Sequence, residues 1–377
     1  MSNRWQGGFI QAYFDPLTEG PLEPFGPLYS WGDNSQGELG LDDTIARSSP
    51  VQVGSLTTWA QVETGEEHAA AIKTDGSLWT WGESANGRLG HNNVVDVSSP
   101  IQVGALTNWS QVATLGGSLS TAAIKTDGSL WTWGNNQGGR LGHGGTTYVS
   151  SPVQVGALTD WYQVSAHRSM AAIKTDGTLW AWGPNASGQV GDGTTTDRSS
   201  PKQIGALTTW SQVSTGLGQT GAIKTDGTLW TWGSNDHGRL GLNLADPTDR
   251  SSPTQVGALT NWAYIAMGRS GGAAIKTDGT LWAWGYNLDG RVGDGTGVSR
   301  SSPVQVGLDT DWAQISSSSR NIAMKNDNTI WAWGDNTSGT LGDGTDIPRS
   351  SPVQVSSLTT WSQVASGRYL SAAIESS

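Results

Sequence analysis

The sequence predicts an all-β protein: a seven-bladed β-propeller of four-stranded blades, its ring closed by pairing the C-terminal strand with the N-terminal strand. Three observations carry this. The dipeptide Trp-Gly recurs at Trp31, Trp81, Trp133, Trp182, Trp232, Trp284 and Trp333, at spacings of 50, 52, 49, 50, 52 and 49 residues. Self-similarity at a period near fifty marks a repeat architecture. Each copy carries four short strand signals and almost no helical periodicity. The chain finishes on Ser371-Ala372-Ala373-Ile374, a strand without a successor, and the first copy opens at Pro27-Leu28-Tyr29-Ser30-Trp31, the missing successor.

The four strands follow in order. Ala-Ala-Ile-Lys and Leu-Trp-Thr-Trp flank Thr-Asp-Gly, a hairpin turn signal. Pro-Val-Gln-Val comes next, its Pro at the strand start, where a missing N–H is tolerated. The turn Gly-Ala-Leu-Thr leads into Trp-x-Gln-Val. Closure of the ring removes the two sheet edges that an open ring would expose. Small side chains suit the crowded axis, so the Ala-Ala-Ile strand is expected innermost, with the short loop before it crossing between blades. The propeller is assigned to residues 27–377 and an N-terminal arm to residues 1–26.

Composition narrows the function classes. The 377 residues include 53 Gly, 21 Trp and no Cys, and the formal net charge is −11. That charge repels nucleic acid and anionic membranes, and without Cys there is no disulfide or thiol chemistry. No stretch approaches the roughly 20 apolar residues of a membrane-spanning helix. The first residues lack the apolar run of a secretory signal.

The pattern Leu-Trp-x-Trp-Gly-x-Asn-x-x-Gly-x-Leu-Gly, with Pro-x-x-Val downstream, resembles the regulator of chromosome condensation repeat, in seven consecutive copies over residues 27–377. The resemblance implies a seven-bladed propeller closed between its termini. The family's functions are diverse, so fold does not fix function. The protruding insertion and basic tail of the family's namesake have no counterpart here.

Strand direction separates two faces. We call X the face at the Thr-Asp-Gly turns, which also carries the Gly-Ala-Leu-Thr turns, and Y the opposite face. The X turns barely vary: Thr-Asp-Gly occurs five times, and Asn326-Asp327-Asn328 takes the sixth place. The short Y loops differ in every copy, and variable loops on a rigid scaffold commonly carry binding. The candidate binding residues are Glu66, Glu67, His68, His167, Arg168, Gln219, Arg269, Arg320, Asn321, Arg368 and Tyr369. Arg168, Arg269, Arg320 and Arg368 are expected near the channel mouth, with Glu66 and Glu67 opposite. Such an arginine cluster suits a carboxylate, phosphate or acidic sugar.

Other chemistry is not indicated. Twenty of the 21 Trp occupy repeated positions and read as packing; Trp5 stands alone. The five His show no His-x-x-x-His spacing, so no metal is expected. Asp192-Gly193-Thr194 and its copies at Asp294 and Asp343 lack the closing Glu of a calcium loop and read as Asx turns. The Asn after Trp-Gly, at Asn34, Asn136, Asn185, Asn235, Asn287 and Asn336, is expected to bond its own turn. No catalytic residues and no cofactor are assigned.

The sequence therefore reads as a non-enzymatic binding or structural protein that meets a protein or glycan ligand on Y. Trp5, Phe9, Ile10, Tyr13 and Phe14 make the arm apolar, and it is read as an anchor to a particle or assembly. Its Gly-Gly-Phe-Ile-Gln-Ala-Tyr-Phe-Asp-Pro-Leu stretch resembles short leaders of bacteriophage particle proteins, which favours a virion location. The alternatives are a propeller that inhibits or regulates an enzyme, and a regulator of the guanine-nucleotide exchange type.

Overall fold

The computed structural model describes residues 25–114, 119–244 and 247–376. Trp5, Phe9, Ile10, Tyr13 and Phe14 lie outside the described residues. Seven antiparallel sheets of four strands form the propeller. Blade 1 contains β3 (Trp59–Thr64), β4 (His68–Lys73), β5 (Leu78–Gly82) and β6 (Val97–Gln102). Blades 2 to 6 repeat this order, each beginning on the Trp of Trp-x-Gln-Val: Trp109, Trp161, Trp210, Trp262 and Trp312. Blade 7 joins the ends of the chain. It runs β27 (Trp361–Ser366), β28 (Leu370–Glu375), β1 (Leu28–Gly32) and β2 (Arg47–Gln52) from axis to rim. Leu28 pairs with Ile374 and Gly32 with Leu370, as the sequence predicts.

The strand order within a blade corrects one expectation. Trp-x-Gln-Val is innermost, and its glutamines line the central channel. The Ala-Ala-Ile-Lys strand comes second. Ala69, Ala70 and Ala71 have no exposed surface because both neighbouring blades press on β4. Ala69 and Ala71 pack with Ala372 and Ile374 of blade 7, and Ala70 packs with Val112 and Ala123 of blade 2. The small side chains thus fit between converging sheets, while the strand that faces the channel carries amides. In consequence the short Y loop is a hairpin within a blade. The crossing between blades is the Gly-Ala-Leu-Thr segment on X.

The glutamines belt the ring together. Gln61 Oε1 accepts from Val112 N at 3.0 Å, and its Nε2 donates to Val112 O at 3.1 Å. Gln163 does the same with Val213. Gln314 reaches Val364 and Gln363 reaches Val62, so the belt passes through blade 7. Tyr264 holds the glutamine position in blade 5. These bonds satisfy groups that a narrow channel would otherwise leave unpaired.

The tryptophans hold the blades, as expected from their repetition. Five of the seven Trp-Gly indoles stitch their blade to the loop of the preceding one; Trp81 Nε1 donates to Glu38 O at 2.9 Å and Trp182 Nε1 to Arg140 O at 2.9 Å. The Trp-x-Gln-Val indoles meet the Leu-Trp indoles edge to face, Trp59 and Trp79 at 6.2 Å. In blades 1 to 6 a lysine stands over both rings; Lys73 Nζ is 4.8 Å from Trp59 and 3.5 Å from Trp79. Blade 7 replaces the set coherently. Tyr29 stands for Trp and Glu375 for Lys, and the Tyr29 hydroxyl donates to Glu375 Oε2 at 3.0 Å.

Candidate functional site on the Y face

Each blade presents two loops on Y, a short inner one and a long outer one. The long loop is held from inside by the Asn after Trp-Gly. Asn136 Nδ2 donates to Gly145 O and Thr147 O, and Asn136 Oδ1 accepts from Leu141 N. Asn34, Asn185, Asn287 and Asn336 repeat the pattern. The Asx-turn reading also holds: Asp192 Oδ1 accepts from Thr194 N and Oγ1, and Oδ2 from Arg198 Nε at 2.6 Å. Because the backbone bonds itself to these groups, the outward side chains are free to differ.

Five of the eleven candidate residues do not reach solvent. His68, His167, Gln219, Arg320 and Asn321 are buried. Arg320 is 1% exposed and donates from Nε to Ser371 Oγ, from Nη1 to Arg368 O and from Nη2 to Leu370 O. It is a strut between blades 6 and 7, and burial pulls its guanidinium down to about 9. Gln219 Nε2 donates to Gly268 O of the next blade at 2.8 Å. Asn321 Nδ2 donates to Arg291 O. His68 Nε2 lies 3.2 Å from Thr121 Oγ1 of the next blade. Burial, then the Arg88 charge, holds its imidazole well below the usual range. His167 Nδ1 accepts from Arg168 N at 2.8 Å. His68, Gln219 and Arg320 each open a second strand, where the side chain points at the neighbouring blade.

Glu66, Glu67, Arg168, Arg269, Arg368 and Tyr369 do lie at the rim. Glu66 forms an ion pair with Arg368, so these charges are neighbours across blades 1 and 7 rather than opposed. The Arg368 guanidinium also sits 4.5 Å from the Tyr369 ring. Glu67 shares Arg88 with Glu83; Arg88 Nη1 is 2.6 Å from Glu83 and 3.9 Å from Glu67. Glu38 is fully buried beside them, its Oε2 accepting from Gln36 N. Burial pushes Glu38 up to about 7, and burial with the adjacent Glu83 does the same for Glu67.

Across the channel mouth the charge reverses. Arg239 of blade 4 and Arg269 and Arg291 of blade 5 are half-buried. Arg291 Nη1 donates to Ser270 Oγ at 2.7 Å, and its Nη2 lies 3.1 Å from Asp289. Burial lowers Arg239, and the charges of Arg269 and Arg291 lower it further against the pull of Asp236 and Asp249. The inner rim of Y is therefore uneven: Glu38, Glu66, Glu67 and Glu83 gather over blades 7 and 1 around Arg88 and Arg368, and Arg239, Arg269 and Arg291 gather over blades 4 and 5 with Asp236, Asp249 and Asp289 about them. Sequence reasoning missed Glu38, Arg239 and Arg291 because they occupy one consensus position, Gly-Arg-Leu-Gly. The readable signal was that this position is Glu38 in one copy, Gln189 in another and Thr340 in a third.

The channel holds a cavity of about 90 Å³ lined by the glutamines and by Glu63. The equivalent residues elsewhere are Ala113, Ser165, Ser214, Ala266, Ser316 and Ala365. Burial pushes the Glu63 carboxyl up to about 8. Among the described residues no three His, Asp or Glu groups are placed to hold a metal, and no helix is long and apolar enough to cross a membrane.

With this geometry in hand, comparison with known proteins is direct. The family described as regulator of chromosome condensation (RCC1) repeat matches seven times, at residues 26–72, 75–123, 127–173, 176–223, 226–275, 278–323 and 327–374. Each match spans the outer half of one blade and the inner half of the next. The RCC1 domain-containing protein RUG3, mitochondrial, of Arabidopsis thaliana is 30% identical over 146 residues, 38% of this chain and 33% of that protein. The chain thus spans about a third of the length of that relative. Human WBSCR16 superposes with a TM-score of 0.83 at 20% identity, covering 93% of this chain and 99% of that one. Yeast RCC1 (Prp20), in a structure with Kap60 bound, gives a TM-score of 0.83 at 17% identity, over 100% of this chain and 96% of that one. At these identities the two structures speak to the fold alone.

Proposed function

The chain belongs to the regulator of chromosome condensation (RCC1) repeat family, and from that premise we propose that it is a non-catalytic scaffold engaging a protein partner through its Y face. The observation that carries the proposal is the contrast within that face: carboxylates outnumber arginines at the inner rim of blades 7 and 1, whereas blades 4 and 5 bring Arg239, Arg269 and Arg291 together. Like charges gathered in this way orient an incoming partner and speed its encounter. The yeast relative bound to Kap60 supports a protein as the ligand class. Attachment to a virus particle through residues 1–26 is a finer reading that rests on the arm's sequence.

The test is affinity capture from the native source with the intact protein as bait, read by quantitative mass spectrometry. Charge reversals on Y, R168E with E66K, are compared with changes on X, T126A with T175A. Partners lost with the Y changes and kept with the X changes support the proposal. The reverse pattern sinks it. Co-purification with particles that disappears on removal of residues 1–26 supports the finer reading, and absence from particles refutes it.

A further inference from the structure

The basic side of the Y face contains cations that the fold itself does not use. Among the described residues the guanidinium groups of Arg239 and Arg269 make no hydrogen bond and no ion pair closer than the usual limit. The Nε atoms of Arg239 and Arg291 are buried without a partner. Arg291 spends Nη1 on Ser270 and Nη2 on Asp289. Asp236 and Asp249 act on Arg239 from a distance, and Tyr369 acts on Arg269. Burying arginine costs free energy, and keeping two of them half-buried, unpaired and beside a third raises that cost.

Their placement is built. The Arg269 loop is pinned by its N–H donating to Ser318 O at 3.1 Å. His237 adopts φ 57°, a left-handed conformation uncommon for a residue with a side chain. Its ring rests on Tyr286 at 4.6 Å, and the Arg291 guanidinium lies 5.9 Å from that same ring. Arg320, by contrast, is consumed as a strut and Arg368 by Glu66, so neither belongs to this group.

We propose that Arg239, Arg269 and Arg291 form a receptor for the carboxylates of an acidic peptide segment in the partner, with Tyr286 as its apolar wall. Guanidinium forks match carboxylates in two-point hydrogen bonds, and the pairing neutralises charges already largely desolvated. The segment is short. A long polyanion such as nucleic acid, leaving this sector across the mouth, meets Glu66, Glu67 and Glu83 on a protein of net charge −11. The inference rests on the protein-binding reading of Y and names the chemistry of its partner.

The test titrates the intact protein into a fluorescein-labelled twelve-residue peptide containing six glutamates, followed by anisotropy at low and high salt. R239Q and R269Q are each expected to weaken binding about tenfold or more, a loss of about 1.4 kcal/mol, and R269K less. K202Q, exposed on the outer strand of blade 3 and outside the group, is expected to leave it unchanged. Raised salt weakens wild-type binding. Far-ultraviolet circular dichroism checks that each variant is folded. Should a Gln variant not fold, R269K and a lysine-for-glutamate peptide, which is expected not to bind, carry the comparison. Equal binding by wild type and the arginine variants overturns the inference, as does a DNA duplex that binds more tightly than the peptide. A captured partner that depends on R168E and E66K but ignores R239Q and R269Q removes the receptor and leaves the Y-face reading intact. A partner indifferent to every Y change removes both.

Discussion

The two faces of this ring are made of the same repeat, yet they use it differently. On X the side chains are consumed by the turn. Asp75 Oδ1 accepts from Ser77 N and Oγ, and Ser77 Oγ accepts from Trp79 Nε1 at 2.8 Å. The copies at Asp127, Asp176, Asp226, Asp278 and Asp327 keep this relay, with Ser or Thr in the middle and the indole bond at 2.8–2.9 Å. On Y a buried Asn holds the long loop from within in six copies, and Ser84 takes its place in the other. Apart from struts between blades such as Arg320 and Gln219, the outward side chains of Y are free to diverge. Where a turn is supported determines where its sequence can vary: support from exposed side chains freezes a face, and support from a buried one releases it.

That contrast can be broken most severely on X. Gly128 has φ +76°, and a Cβ there would overlap Thr159 O. Gly128→Ala is expected to cost roughly 3 kcal/mol in urea unfolding. Gly156, on the same face at φ +64° with nothing within 4 Å, sharpens the point, since its Ala variant is expected to lose only about 1 kcal/mol. Next comes the hidden support of Y. Asn136→Ala removes three loop bonds and should cost roughly 2–3 kcal/mol, visible in the same unfolding curves.

Between the faces lies the channel, where Glu63 titrates. Burial raises its pKa from 4.5 to about 8, so the folded protein holds a proton that the unfolded chain has released. Its contribution to stability therefore falls as pH rises from about 4.5 to about 8 and is level beyond. Glu63→Gln removes that slope. Allowing for water in the channel, it should stabilise by on the order of 1–2 kcal/mol at pH 9 and change little at pH 4. The smallest effect belongs to the exposed rim: Arg168→Ala should shift stability by under about 0.5 kcal/mol. A larger loss would show that rim residues do carry structural duty.

Much of the fold was legible because repetition multiplies weak signals. Seven Trp-Gly dipeptides, seven Pro-containing strands and an orphan strand at each end of the pattern leave one closed arrangement. The recurrent Asn could be placed for the same reason. Strand order within the blade was not legible. Either order satisfies the same hairpins, and small side chains describe a strand squeezed between blades as well as one at an axis. The glutamine belt decides the matter, but its partners lie about fifty residues away in the next copy. The site was read only in part for a related reason. Arg269 stands in the three-residue loop 268–270, whereas Arg320 follows a two-residue loop and opens the next strand, a shift of register that polarity alone does not reveal. At that position the carbonyls of Arg368 and Leu370, presented by the neighbouring blade, make Arg320 a strut, while Arg269 stays at the surface.

The shared seventh blade also sets how the molecule meets mechanical load. Leu28 and Ile374 face each other at the X end of the seam, with Gly32 and Leu370 at the far end. Tension applied to the two chain ends therefore pulls from one side of that five-pair ladder. It parts the bonds in succession instead of shearing them together. A ring that is belted by glutamines against sideways spreading thus has a zip fastener at its seam. If its arm anchors it and its other end is drawn, that seam is the first to yield.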